Sequence, residues 1–425
     1  MNSSDKDGRE FSADEIAQLR AHRIEIFANR VIYDAQPPLS AEKLAVIQGL
    51  CGGEIPRDLL ALWNVTAGGR LAYDLTVRMD ENEEAVSWSE LFYEGSGGYR
   101  DLIEWIEHER ELAQEAHEHR GETWNGKLGV VPIGGFEYCD RIYVVTDPDA
   151  ADFGRVLAWK QGLPPAWRGN LHQDAVATVA EDLFSAFREL HLETDPLSSP
   201  GDYSVSDEFL DYLSERQEDH GMQKELADKL IAFYRCALVD WRTPLADGTL
   251  SARPELVRLA IREAIGGDDA ELVGRLADAG VVFDGAVSGS HGPTSLALAR
   301  GAYSAAMALI RAGAPVAEDA LDEVHGNLPP ELADELLRAG ARPSPNAMAN
   351  CVAHGAIASA HRIAAAMLSQ GVPAEEYDLA AAALLEGIER DTAKVRAGRL
   401  HHYLGLEGLE LHANRLREFK FSLPH

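Results

Sequence analysis

The sequence predicts an α+β N-terminal domain, an antiparallel-rich sheet with flanking helices, followed by an all-α C-terminal helical solenoid. Three observations predict it. The first half carries one segment, Leu71–Met79, whose apolar residues alternate with period two, and three further strand-like segments close together in sequence. Beyond Thr194–Gly201 strand signals nearly vanish and Ala and Leu dominate. A helix-ending pattern then recurs four times, the signature of units that bury their faces by stacking. The 425 residues therefore divide into an α+β domain over 1–195, a helical linker region over 196–253, helical repeats over 254–373 and a helical cap over 374–425.

The elements follow in order. Ser12-Ala13-Asp14-Glu15 is a capping box, in which Ser12 and Glu15 satisfy orphan helix donors, and it opens a helix predicted to run through Asn29. Pro37-Pro38 breaks the helical pattern, and Ser40 starts a second helix ending near Gly52-Gly53. Pro56 suits a first helical turn, and Leu59, Leu60, Leu62 and Trp63 give that helix its apolar face. Leu71, Tyr73, Leu75, Val77 and Met79 alternate as a strand with one buried face. Gly129–Ile133, Arg141–Thr146 and Arg155–Trp159 read as further strands, antiparallel because short Gly, Pro and Asp turns join them. Thr178-Val179-Ala180-Glu181 reads as a second capping box, opening a helix that buries Leu183, Phe184, Phe187 and Leu190. The glycine pairs at 52–53, 68–69, 97–98 and 134–135 read as turns.

Two or three helices fill Ser206–Trp241, and the repeat follows. Val273–Gly280, Ala306–Gly313, Ala333–Gly340 and Ala364–Gly371 align on their final glycines, which lie 33, 27 and 31 residues apart. One column reads Leu276, Leu309, Leu336 and Met367; the next reads Ala277, Ile310, Leu337 and Leu368. Both columns are expected on an inner helix face, with each glycine just past a helix end, where positive φ costs it little. Gly266, Gly301, Gly326 and Gly355 are expected to turn between paired helices. A basic segment around Arg415, Arg417 and Lys420 ends the cap.

The formal net charge is −31. Such a surface repels a phosphate backbone and anionic lipid, so neither nucleic acid nor membrane is an expected partner, and a basic protein is. Cys51, Cys139, Cys236 and Cys351 are scattered without a CxxC pair, which argues against a disulfide framework and a structural zinc site. With no apolar run at the start and no long apolar stretch, a reducing cytoplasm is the expected location. Catalytic patterns are missing. Gly126-Lys127 is followed by Leu128, not a hydroxyl residue, and neither GxSxG nor GxGxxG occurs. His108, Glu111, Glu115, His117, Glu118 and His119 crowd together without metal-ligand spacing. No enzyme activity, metal or cofactor is expected.

The acid is concentrated. Asp80 to Glu122 holds 14 acidic residues against Arg100, Arg110 and Arg120, about a third of the chain's excess. It includes Asp80-Glu81-Asn82-Glu83-Glu84 and a helix predicted over Tyr99–His119. On that helix Leu102, Ile106, Leu112, Ala113 and Ala116 form the buried stripe, leaving Glu104, Glu107, Glu111, Glu115 and Glu118 outward. Neighbouring like charges on a helix repel, so the stretch is either a solvated face or one kept for a cationic partner.

Ile55-Pro56-Arg57-Asp58-Leu59-Leu60-Ala61-Leu62-Trp63 with Gly68-Gly69, then Gly129-Val130-Val131-Pro132-Ile133-Gly134, the paired strands Asp140–Asp147 and Gly154–Trp159, and the helix Val179–Leu190 together resemble the SUKH superfamily (Smi/Knr-like) across about Ser12–Leu192. The usual Asn-Gly-Gly turn is loosened here to Asn64-Val65-Thr66-Ala67-Gly68-Gly69. Thr294-Ser295-Leu296-Ala297-Leu298-Ala299 resembles an ankyrin first helix, and Pro254–Pro373 resembles a degenerate ankyrin-type solenoid. The first resemblance implies a bacterial immunity protein that neutralises a cognate toxin, often a nuclease, by stoichiometric binding. Immunity proteins of neighbouring families also occur joined to ankyrin-type repeats. The alternative is an ankyrin-type scaffold joining cellular partners. The residues expected to contact a basic toxin are Asp80, Glu81, Glu83, Glu84, Trp88, Phe92, Tyr93, Glu94, Tyr99, Glu104, Glu111, Tyr138 and Asp140.

Overall fold

The computed structural model describes residues 10–51, 54–79, 82–137, 139–160, 176–197, 204–287, 291–324 and 326–419. It contains two compact units, Met1–Val239 and Asp240–His425. The break thus falls inside the 196–253 region that the sequence assigns to a helical linker: its helices up to Val239 complete the first core, and the remainder belongs to the second unit.

In the first unit, α1 (Ala13–Ala21) opens with the expected box. Ser12 Oγ accepts the Glu15 N–H at 3.2 Å, and Glu15 Oε2 accepts the Ser12 N–H at 2.7 Å. The helix does not continue to Asn29. Instead β1 (Glu25–Phe27) and β2 (Arg30–Ile32) form a hairpin, with Ala28 and Asn29 at positive φ as a two-residue turn requires. The helices α2 (Ala41–Leu50) and α3 (Arg57–Val65) follow, the second burying Leu59, Leu62 and Trp63.

After β3 (Gly69–Arg70), the side chains of Leu71, Tyr73, Leu75, Val77 and Met79 are all buried, as their alternation predicts. Only Thr76–Met79 is regular strand, β4, paired with β5 (Asn82–Ala85). Then come β6 (Glu90–Leu91), α4 (Leu102–Arg120), β7 (Val130–Phe136), β8 (Asp140–Val145), β9 (Val156–Lys160), β10 (Val176–Ala180) and α5 (Leu183–Glu189). Six strands form one antiparallel sheet in the order β10-β9-β8-β7-β6-β3.

Three local expectations change here. Thr178 lies within β10, so no capping box forms there; Asp182 caps α5 instead, accepting the Ser185 N–H at 2.7 Å. Phe184 is 37% exposed, its ring stacked on Phe27 at 4.9 Å. Gly134-Gly135 is not a turn but strand. A Cβ on Gly134 would lie 2.3 Å from the Glu90 carbonyl and 2.6 Å from Trp88 Nε1, so only glycine lets β6 and the Trp88 indole approach. The helices α6 (Asp207–Glu218) and α7 (Lys224–Tyr234) bury Phe209, Leu213, Leu230 and Tyr234 in the same core. The Tyr234 ring lies 4.7 Å from Phe209 and 5.0 Å from Tyr73.

The second unit is helical: α8 (Arg242–Ala246), α9 (Pro254–Gly266), α10 (Ala270–Asp278), α11 (Pro293–Ala299), α12 (Tyr303–Arg311), α13 (Pro330–Arg338), α14 (Pro345–His354), α15 (Ile357–Ser369), α16 (Ala374–Arg396) and α17 (Gly405–Glu418). The four aligned glycines share one geometry. Gly280, Gly313, Gly340 and Gly371 all have positive φ, just past the ends of α10, α12, α13 and α15. In each case the following residue's N–H returns to the first column: Val281 to Leu276, Ala314 to Leu309, Ala341 to Leu336 and Val372 to Met367, at 2.9–3.0 Å. This is the Schellman ending, repeated four times. The first-column side chains are at most 1% exposed, each contributing about 1.5–3 kcal/mol by burial. The second column is only half-buried.

Two turns differ. Gly266 ends α9 as a helical residue, and Asp268 takes the left-handed position there. The stretch before α13 is turns, not a first helix, because the 27-residue spacing leaves that unit too short for two full helices.

Candidate functional site

The helix α4 is where the acidic sequence meets a built surface. Asp101 caps it: Oδ1 accepts the N–H groups of Ile103 at 3.0 Å and Glu104 at 3.1 Å, and Oδ2 that of Gly95 at 2.7 Å. Gly121 ends it in the left-handed conformation. Leu102, Trp105, Ile106, Glu109 and Ala113 are buried. Glu104, Glu107, Glu111, Glu115 and Glu118 are exposed, and none has a salt bridge among the described residues. Their four neighbouring pairs at three- or four-residue spacing cost roughly 1–2 kcal/mol in all. Glu115 and Glu118 also sit against the negative end of the helix dipole.

Of the residues expected at an interface, Tyr99 and Glu104 come together beside the first turn of α4. Both line a cleft of about 330 Å³ with Gly98, Asp101, Trp105 and His108. Glu111 lies further along the same helix face. Tyr93 and Glu94 are half-buried in the connection before α4, with Glu94 held 3.2 Å from Lys43 Nζ. Glu84 is committed to Lys160 at 2.8 Å. Asp80, Glu81 and Tyr138 lie outside the described residues, and Glu83 is placed only as part of β5.

Three expectations are corrected by burial. Trp88 is 0% and Phe92 1% exposed; both fill the core instead of offering a surface anchor, because the short β6 carries them inward on either side. Asp140 is 6% exposed, its Oδ2 accepting the Ser87 N–H at 2.7 Å. Burial pushes its carboxyl above the ordinary range.

Beneath α4 lie charged groups that the sequence reading missed. Glu90 is 1% exposed. Its Oε1 accepts the Tyr99 hydroxyl at 2.9 Å, with Arg70 and Arg100 each at 3.9 Å. Burial nonetheless raises its carboxyl pKa. Glu109 accepts the Tyr143 hydroxyl at 2.8 Å, and burial pushes its carboxyl up to about 7. The Arg141 guanidinium lies 3.5 Å from the Trp105 ring centroid. A signal for Glu109 was present: it continues the Leu102, Ile106, Ala113 stripe at helical spacing.

Among the described residues no group of three or more His, Cys, Asp or Glu side chains is arranged to hold a metal ion. No described helix is long and apolar enough to cross a membrane. The first unit is an α+β domain with an antiparallel sheet, and the second is helical. No protein-family model, curated protein or solved structure matches the chain.

Proposed function

We propose that this chain is a cytoplasmic immunity protein that occludes a basic toxin domain, holding it through the acidic face of α4 and transforming nothing itself. The observation that carries the reading is the row Glu104, Glu107, Glu111, Glu115 and Glu118, exposed and without salt bridges among the described residues at a cost to the helix's own stability. The resemblance of Ser12–Leu192 to the SUKH superfamily supplies the partner class. The four Schellman endings support the ankyrin-type reading of the second unit. A nuclease toxin must carry Lys and Arg to hold phosphates, and an anionic helix face competes for those groups. Such complementarity steers encounter and discriminates among partners more than it adds affinity.

The experiment is co-expression with the C-terminal domain of a secreted protein encoded beside this gene. The expected result is a one-to-one complex and survival of cells that die with the toxin alone. Survival without this chain, or a complex indifferent to charge reversal along α4, overturns the proposal.

A further inference from the structure

We infer that the cleft beside the first turn of α4 is a socket for a single arginine side chain presented by the protein partner. The inference rests on the reading that the partner is a basic protein, and deepens it by naming the group that anchors it. The cleft volume of about 330 Å³ lies at the low end for small-ligand sites, roughly 300–1,000 Å³, and suits one long side chain.

Its walls select the chemistry. Tyr99 and Trp105 are aromatic, and Glu104 is a carboxylate without a salt bridge among the described residues. The Asp101 carboxylate is already occupied by three backbone N–H groups, which leaves Glu104 as the open acceptor. An anion would meet Glu104 and, behind Tyr99, the buried Glu90, whose Oε2 has no hydrogen-bond partner among the described residues. A planar guanidinium both stacks on aromatic rings and donates in parallel to a carboxylate, whereas an ammonium supplies only its charge. The Trp105 ring is only 6% exposed and already has the Arg141 guanidinium 3.5 Å from its centroid, so Tyr99, 37% exposed, is the ring left to stack on an incoming guanidinium. Arg100, the nearest cation in sequence, is turned to the Tyr93 ring and Glu90.

The walls are also pre-set. The Tyr99 hydroxyl is held by Glu90, and its carbonyl accepts the Trp105 indole N–H. Little ordering is left for binding to impose. With Trp88 and Phe92 in the core, this cleft takes the anchoring role that the acidic row alone does not fill.

The test uses the full ¹⁵N-labelled chain and three capped pentapeptides, Gly-Gly-X-Gly-Gly with X as arginine, lysine or citrulline, following the Trp105 indole N–H by NMR. The arginine peptide is expected to shift it saturably. Lysine should bind several-fold more weakly and neutral citrulline not at all. Glu104→Gln should weaken arginine binding roughly two- to fivefold, the range of an exposed ion pair. Glu218→Gln, on α6, should leave it unchanged. No saturable shift, equal binding of citrulline or lysine, or an unaltered affinity in Glu104→Gln overturns the socket. Decalysine binding to the same samples separates this failure from that of the wider reading. If decalysine binds and Glu107→Lys/Glu111→Lys/Glu115→Lys abolishes it, the acidic-face proposal survives the loss of the socket; if not, both fall.

Discussion

The Tyr143 hydroxyl donates to Glu109 Oε1 at 2.8 Å inside the contact between α4 and β8, joining the buried side of the acidic helix to the sheet. Arg141, on the same strand, provides the nearby positive charge. Burial outweighs both partners and pushes the Glu109 carboxyl up to about 7.

That shift makes stability depend on pH in a defined direction. The unfolded carboxyl loses its proton near its ordinary value of 4.5, while the folded one keeps it to about 7. Folding takes up a proton between those limits, so this group's contribution falls as pH rises through the window and is fully lost above it. Glu109→Gln keeps an acceptor for Tyr143 without the charge. Relative to wild type it should gain about 1–3 kcal/mol between pH 5 and pH 8, read from denaturant midpoints. A gain equal at both pH values would refute the linkage.

Gly134→Ala should destabilise the first unit by about 2–4 kcal/mol, because its new methyl meets the Glu90 backbone and the Trp88 indole. Gly49→Ala, in α2 with nothing within 4 Å, is the matched control and should stabilise by about 0.5–1 kcal/mol. Equal urea midpoints for the two variants would contradict the close approach.

The four Schellman glycines should behave alike. Alanine at Gly280, Gly313, Gly340 or Gly371 meets open space but must adopt positive φ, costing about 1–2 kcal/mol at each position. Gly274→Ala, inside α10, should instead stabilise slightly. Thermal unfolding of the set checks this, and losses confined to one glycine would break the structural equivalence.

Neutralising Glu115 and Glu118 to Gln should raise stability by about 0.5–1 kcal/mol, since both repel neighbours and oppose the helix dipole. If these charges serve a partner, the same variant binds it more slowly. A variant that is more stable and binds at an unchanged rate would mark that end of α4 as a solvated face.

The repeat was legible because its glycines and apolar columns recur at matching positions, and backbone geometry follows directly from positive φ. The main sheet strands and α4 were legible for a related reason: Val130–Ile133, Ile142–Val145 and the Leu102–Ala113 stripe carry strong local patterns. The β1–β2 hairpin was not, because Ala28-Asn29 is a weak turn signal inside a segment that also fits a helix. Nor was the unit boundary. The change to helical composition near Ser206 is local, whereas Phe209 and Tyr234 join the first core through distant Tyr33 and Tyr73. Trp88 and Phe92 were misplaced for the same reason: an aromatic beside acidic residues reads alike in core or interface until the sheet around it is known.

The most direct test of the central claim is the association rate of the chain with the proposed toxin domain, measured by stopped flow across a salt series. Wild type should approach about 10⁸ M⁻¹s⁻¹ at low salt and slow steeply as salt rises. Glu107→Lys/Glu111→Lys/Glu115→Lys should associate at least about tenfold more slowly with a flattened salt dependence. Identical rates and identical salt slopes for the two proteins would contradict it.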